Sequence, residues 1–137
     1  FGNNFVKTIL KLSNEKPELN VVNDQIGAPT YAGDLASVTL VILDAILSTA
    51  GFTDYGIYNY SNEGRISWFD FAAQIATEIK SNSKIHAVGT ADFPRPAKRP
   101  SYSVFDMAKI KTAFGINPIG WKKSLRICIQ NLSRIVP

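Results

Sequence analysis

The chain carries one cysteine, one histidine and one methionine among its 137 residues. A lone Cys128 excludes an internal disulfide, and its apolar helical surroundings read as those of a small core residue. A reducing compartment suits it, and we expect a cytoplasmic protein. His86 has no second histidine or cysteine near it in sequence, so a metal role lacks support and a structural or exposed histidine is expected. No apolar run reaches the roughly 18 residues of a membrane span. The longest candidate, Leu35 to Leu47, is interrupted by Ser37, Thr39 and Asp44. The opening residues do not form a basic-then-apolar leader. Charge of one sign is also scarce. Fifteen Lys and Arg against 11 Asp and Glu leave a net +4. That suits an anionic small ligand and is too mild for a nucleic-acid reader without a basic stripe or a known module. Neither nucleic acid nor membrane is expected as a partner. Repeats, low-complexity tracts and linker-like stretches are absent from the sequence.

Composition argues for a packed core. Hydrophobic residues make up 45% and charged residues 19%, whereas a disordered chain needs low hydrophobicity and high net charge. The length fits a single domain over residues 1–137. Asn3 or Asn4 can cap a first helix with Phe5, Ile9, Leu10 and Leu12 on its apolar side, and Pro17 lies beyond its end. Leu19 to Val22 reads as a strand. Asp34 can cap a helix to about Thr49, with Leu35, Val38, Ile42, Leu43 and Ile46 inward. Gly56 to Tyr60 is rich in strand formers. Ser67 and Asp70 have capping-box spacing before a helix to about Lys80, and Ser103 and Asp106 repeat it before a short helix that stops at Gly115. Lys84 to Val88 alternates like a strand. A last helix spans about Ile119 to Ile135, with Trp121, Leu125, Cys128, Ile129 and Leu132 apolar. Helices alternating with short strands predict an α/β fold.

The polar loop from Asp24 to Tyr31 is the most distinctive stretch, because Gly27 and Pro29 give it its own turn chemistry before an apolar helix. Asp24-Gln25-Ile26-Gly27-Ala28-Pro29-Thr30-Tyr31, with Asp34-Leu35-Ala36 after it, resembles the "DQ-x-GAPTY-x-x-DLA" segment of dTDP-4-dehydrorhamnose reductases, a branch of the extended short-chain dehydrogenase/reductases. Further matches follow in order. Gly2 to Val6 resembles "G-x-NFV", Val21 to Gln25 "VV-x-DQ", and Gly56 to Ser61 "G-x-YN-x-S". Ser67 to Ala72 resembles "S-W-x-x-FA", Pro96 to Asp106 "PA-x-RP-x-x-S-x-LD", and Trp121 with Leu125 "W-x-x-x-L". Phe105 stands where that family usually has leucine.

The resemblance implies the C-terminal, substrate-binding part of a Rossmann-type reductase, with helices and a few short, mostly parallel strands. It implies hydride transfer from NADPH or NADH to the C4 ketone of dTDP-4-dehydro-β-L-rhamnose, giving dTDP-L-rhamnose for bacterial surface polysaccharide such as O-antigen. A glycine-rich phosphate loop, a Ser/Thr and a Tyr-x-x-x-Lys belong to the same pattern. None of the five tyrosines has a lysine four residues on, and no G-x-G-x-x-G or G-x-x-G-x-x-G occurs. The chain also begins at Phe1 as if in mid-sequence. We therefore expect an N-terminal dinucleotide-binding half to be missing, no NAD(P) to bind this piece, no catalytic residue within it, and no reduction by it alone. The Gly56 to Tyr60 strand is expected to belong to the missing half's sheet. Left unpaired, its edge would favour a homo-oligomer. A non-catalytic sugar-nucleotide-binding or regulatory subunit of the same fold is the alternative.

Four residues stand out as substrate ligands. Arg99, in a loop punctuated by Pro94, Pro96 and Pro100, can clamp a diphosphate bidentately, and related sugar-nucleotide enzymes are similar in using an arginine there. Arg95 and Lys98 are secondary. Asn4, at a helix start that favours anions, either reaches the diphosphate or simply caps the helix. Gln25 and Thr30 either hydrogen-bond the thymine or sugar, or satisfy the backbone of their own loop. Asp24 reads as a structural acceptor, Asp70 and Asp106 as cap partners, and Phe5, Tyr31 and Trp68 as packing residues that could also meet a base.

Overall fold

The computed structural model describes residues 2–93 and 97–135. Phe1, Pro94, Arg95 and Pro96, invoked above, lie outside them. In chain order the elements are α1 (Phe5–Glu15), β1 (Glu18–Val22), β2 (Ile26–Gly27), α2 (Ala32–Ser48), β3 (Ile66–Ser67), α3 (Trp68–Glu78), β4 (Lys84–Val88), a 3-10 turn (Thr90–Asp92), α4 (Ala108–Phe114) and α5 (Trp121–Ile135). The α/β expectation holds. The chain packs as two compact units, each assembled from separated stretches. Unit 1 is Phe1–Gly27 with Arg65–Ser103, and unit 2 is Ala28–Gly64 with Val104–Pro137.

Unit 1 is built on a parallel ladder. β1 pairs with β4 from Glu18 opposite Lys84 to Val22 opposite Val88. Leu19 and Val21, alternate residues of β1, are buried. α3 packs on α1, β1 and β4 and buries Phe71, Ala72, Ile75 and Ala76. These positions fall on one face at 3.6-residue spacing. Ile75 is 0% exposed, a burial that stabilises by about 1.5–3 kcal/mol. The predicted capping box forms: the Asp70 N–H donates to Ser67 Oγ at 3.0 Å, and the Ser67 N–H reaches back to Asp70 Oδ2 at 3.4 Å. β2 and β3 form a two-residue antiparallel pair. Ile26 also receives the Ser103 N–H at 2.9 Å. That engagement explains one failed expectation. Ser103 is held at Ile26, and α4 has no side-chain cap, although Asp106 Oδ1 does accept the Ala108 N–H at 2.8 Å.

Unit 2 is helical. α2 starts at Ala32, two residues before its expected cap, with Tyr31 at the N-cap and no side-chain cap bond. Asp34 lies inside the first turn and is the residue this helix buries. Leu35 and Leu43, expected inward, are 45% and 47% exposed. The helix is apolar nearly all round, so sequence periodicity could not select its buried stripe. α4 ends at Gly115 as expected, with φ +63°, a left-handed position that glycine adopts without a Cβ clash. Leu125 is a buried apolar residue of α5. Residues 56–60 form no strand, and Ile57 is 87% exposed. A strand exists only through a paired neighbour, and this segment has none among the described residues. Phe52, Tyr55, Tyr58 and Phe114 gather in an aromatic cluster nearby.

Candidate functional site

A cleft of about 670 Å³ opens in unit 1. The apolar face of α1 supplies Phe5, Ile9 and Leu12, the start of α3 supplies Trp68, and β1 supplies Val21 and Val22. Phe93 lies at its edge, and Lys98 and Arg99 add two cations. The aromatic wall is fixed by mutual packing. Phe5 sits 4.7 Å from Trp68 at a tilt of 51°, and 5.6 Å from Phe71 in a stacked arrangement. An apolar, aromatic-lined hollow with convergent cations suits a ligand with a flat ring and an anionic group.

Of the four expected ligands, Gln25 and Arg99 line this cleft. Arg99 is exposed and makes no hydrogen bond or ion pair among the described residues, so its guanidinium keeps its donors for a ligand. Gln25 is 8% exposed and donates from Nε2 to Thr90 Oγ1 at 2.9 Å. Asn4 caps α1, its Oδ1 accepting the Lys7 N–H at 2.9 Å, and it is not among the cleft residues. Thr30 belongs to unit 2 and is exposed.

Thr90 is a cleft residue that sequence reasoning missed. Its N–H donates to Asp24 Oδ2 at 2.9 Å and its hydroxyl to Asp24 Oδ1 at 2.7 Å. Those bonds, from the N–H first and the hydroxyl second, hold the Asp24 carboxyl below the usual carboxylate range. Asp24 is thus the structural acceptor its loop suggested. The two residues lie 66 positions apart in sequence, and no local pattern links them. Trp68 and Phe5 both pack and face the cleft. His86 Nε2 lies 3.5 Å from Glu18 Oε2, with both side chains about half exposed. Among the described residues no group of three or more His, Cys, Asp or Glu gathers to hold a metal, and no helix is long and apolar enough to cross a membrane.

Unit 2 contains a second polar cluster, closed in on itself. Asn62, 0% exposed, accepts the Tyr31 N–H at its Oδ1 at 2.7 Å. Its Nδ2 donates to Asp34 Oδ2 at 2.6 Å, Ser124 Oγ at 2.9 Å and the Ile119 carbonyl at 3.0 Å. Ser124 Oγ in turn donates to Asp34 Oδ2 at 2.5 Å. Burial, and secondarily the Asp34 charge, raises the pKa of Tyr60. With every polar atom of Asn62 used, this cluster fastens a loop and two helices and offers nothing to a ligand.

Comparison with known proteins gives a consistent result. The model of the RmlD substrate binding domain family matches residues 1–134. A dTDP-4-dehydrorhamnose reductase of Aggregatibacter actinomycetemcomitans is 44% identical over 132 residues, covering 92% of this chain and 45% of that protein. The crystal structure of a dTDP-4-dehydrorhamnose reductase from Clostridium acetobutylicum superposes with a TM-score of 0.88 at 39% identity, over 96% of this chain and 45% of that one. The enzyme of the same name from Bacillus anthracis, solved with NADP, gives 0.80 at 36% identity, over 96% and 44%. The chain spans about half the length of the relatives it matches.

Proposed function

We propose, from the premise that this chain belongs to the RmlD substrate binding domain family, that residues 1–137 are the substrate-binding part of a dTDP-4-dehydrorhamnose reductase. The whole protein then reduces the C4 ketone of dTDP-4-dehydro-β-L-rhamnose to a hydroxyl, giving dTDP-L-rhamnose for surface polysaccharide in the cytoplasm. The observation that carries this reading is the cleft of unit 1, where Phe5 and Trp68 flank an apolar hollow that also takes in Arg99 and Lys98. The thymine ring suits the aromatic side and the diphosphate suits the cations. Asn4 becomes a ligand in this reading only if the sugar nucleotide reaches beyond the cleft, and Thr30, in unit 2, is kept as a proposed ligand without a place in it.

The residues present do not fit a nicotinamide dinucleotide. Such a site needs a glycine-rich turn between a strand and a helix N-terminus. Here β1 runs through Asn23 and the carboxylate of Asp24 into β2, and β4 runs through Gly89 into a three-residue 3-10 turn that carries Asp92. The hydride donor, NADP or NAD, is therefore assigned to a part of the protein outside this chain. That missing half is also the partner we propose for the apolar residues left exposed on α2 and around Ile57. Self-association of the isolated piece follows from the same exposure.

Calorimetric titration of dTDP into this chain and its Arg99→Ala variant tests the proposal. Saturable binding that falls roughly tenfold or more in the variant is expected, because a charged, bidentate contact is lost. Absence of dTDP binding, or binding indifferent to Arg99, would falsify it. Assay of the full-length protein with NADPH and dTDP-4-dehydro-β-L-rhamnose separates the reductase from a non-catalytic binding subunit.

A further inference from the structure

The hydrogen bonds joining Asp24, Thr90 and Gln25 have one consistent direction. An ionised carboxylate only accepts. Asp24 accepts both the N–H and the hydroxyl of Thr90, which commits the single hydroxyl proton of Thr90 to Asp24. Toward any other neighbour Thr90 Oγ1 can then only accept. The Gln25 amide group 2.9 Å from Oγ1 must therefore be the N–H side, as found; the opposite flip would set two acceptors face to face. The orientation of a glutamine amide is ordinarily ambiguous, but here the charge on Asp24 decides it through Thr90.

The consequence lies at the other end of the amide. With Nε2 turned to Thr90, Gln25 Oε1 points elsewhere. It accepts no hydrogen bond among the described residues, and the buried side-chain oxygens lacking a partner among those residues are Ser13 Oγ and Ser83 Oγ. Gln25 Oε1 is thus open rather than sealed in, on a residue that is 8% exposed and lines the cleft. An unpaired acceptor on a residue that lines the cleft carries discrimination, because a ligand that fails to donate to it leaves it unpaired.

We propose that Gln25 is a directional acceptor for the imide N3–H of a thymine or uracil base, and that Thr90 and Asp24 are positioning residues that hold it in that orientation. This rests on the nucleotide-sugar reading above and adds what selects the base. Cytosine presents a ring acceptor in place of that N–H and is disfavoured.

The test is titration of dTDP, N3-methyl-dTDP and dCDP into the full chain and into Thr90→Val and Thr90→Ser. The Gln25 side-chain NH2 resonances are followed by NMR without ligand. Wild type is expected to bind dTDP roughly tenfold tighter than the other two, as one missing hydrogen bond to an acceptor that the bound ligand shields from water predicts. Thr90→Val should narrow both gaps to about twofold and shift the Gln25 resonances, and Thr90→Ser should restore both. If dTDP and N3-methyl-dTDP bind equally well, the imide contact is wrong while the nucleotide reading survives. If selectivity and the Gln25 resonances are unmoved in Thr90→Val, the positioning role is wrong. If none of the three diphosphates binds, the nucleotide reading falls and takes this inference with it.

Discussion

Unit 1 and unit 2 handle their polar groups in opposite ways. In unit 1 the groups bordering the cleft keep bonding capacity in reserve: Arg99 has no protein partner among the described residues, and the Gln25 amide bonds through its nitrogen alone. In unit 2 Asn62 spends its whole amide on Tyr31, Asp34, Ser124 and Ile119. The apolar residues are reversed. Unit 1 packs them under α3, whereas unit 2 leaves Leu40 and Leu47 of α2 at 65% and 76% exposed. An unspent polar group beside an apolar hollow marks a place for a small ligand, and an exposed apolar helix face marks a place for more protein. In the proposed reading the first region takes a small ligand and the second takes more protein.

That contrast can be broken most sharply at Asn62. Asn62→Ala leaves the Tyr31 N–H without its acceptor and Asp34 with its Ser124 bond alone, and should cost about 3–4 kcal/mol in a urea unfolding experiment. A midpoint unchanged from wild type would show that the cluster does not hold unit 2 together. Ile75→Ala, on the core face of α3, should cost about 2–4 kcal/mol by the same measurement, because the sheet and α1 cannot collapse fully onto the smaller side chain. Arg99→Ala should move the other observable: a roughly tenfold loss of dTDP affinity, or about 1.4 kcal/mol, with stability changed by less than about 0.5 kcal/mol. Equal effects on binding and stability would erase the distinction drawn between the units. Ser67→Ala removes the cap of α3 and should cost about 1 kcal/mol, read by thermal unfolding.

The smallest effect expected is of pH. Hydrogen bonds from Thr90 lower the Asp24 pKa in the folded chain. Folding therefore favours the ionised form, and its contribution is present above the ordinary aspartate value of about 4. It is lost as pH falls through the lower folded value. Preference for dTDP over N3-methyl-dTDP should accordingly hold from neutral pH down to about 4 and fade only below it. Loss of selectivity already between pH 5 and 7, followed by titration calorimetry, would remove Asp24 from the chain of positioning contacts.

Local chemistry was legible in the sequence where it was sufficient. The Ser67–Asp70 box, the Asn4 cap and the Gly115 stop each close within a few residues, so residue type and spacing specified them. The β1 segment could be read as a short strand and β4 from alternation, and Arg99 and Gln25 were singled out from the motifs around them. Asp34 illustrates where such reading ends. An aspartate before an apolar helix is a good cap by every local rule, yet it turns inward because Asn62 and Ser124 wait there, 28 and 90 residues away. Ser103 likewise gives up its cap for Ile26, 77 residues distant. Residues 56–60 have strand-forming residues and no strand, since pairing requires a neighbour that propensity does not supply.

The sequence alone determined the α/β class, the main helices to within about two residues of their ends, the two segments that become β1 and β4, and the loop that carries Gln25, because these follow from turn chemistry and short-range periodicity. Tertiary structure alone decided which polar residues are spent and which are left open. Thr90 meets Asp24 only when β4 is laid beside β1, and a hydrogen bond across 66 residues has no signature in the residues between.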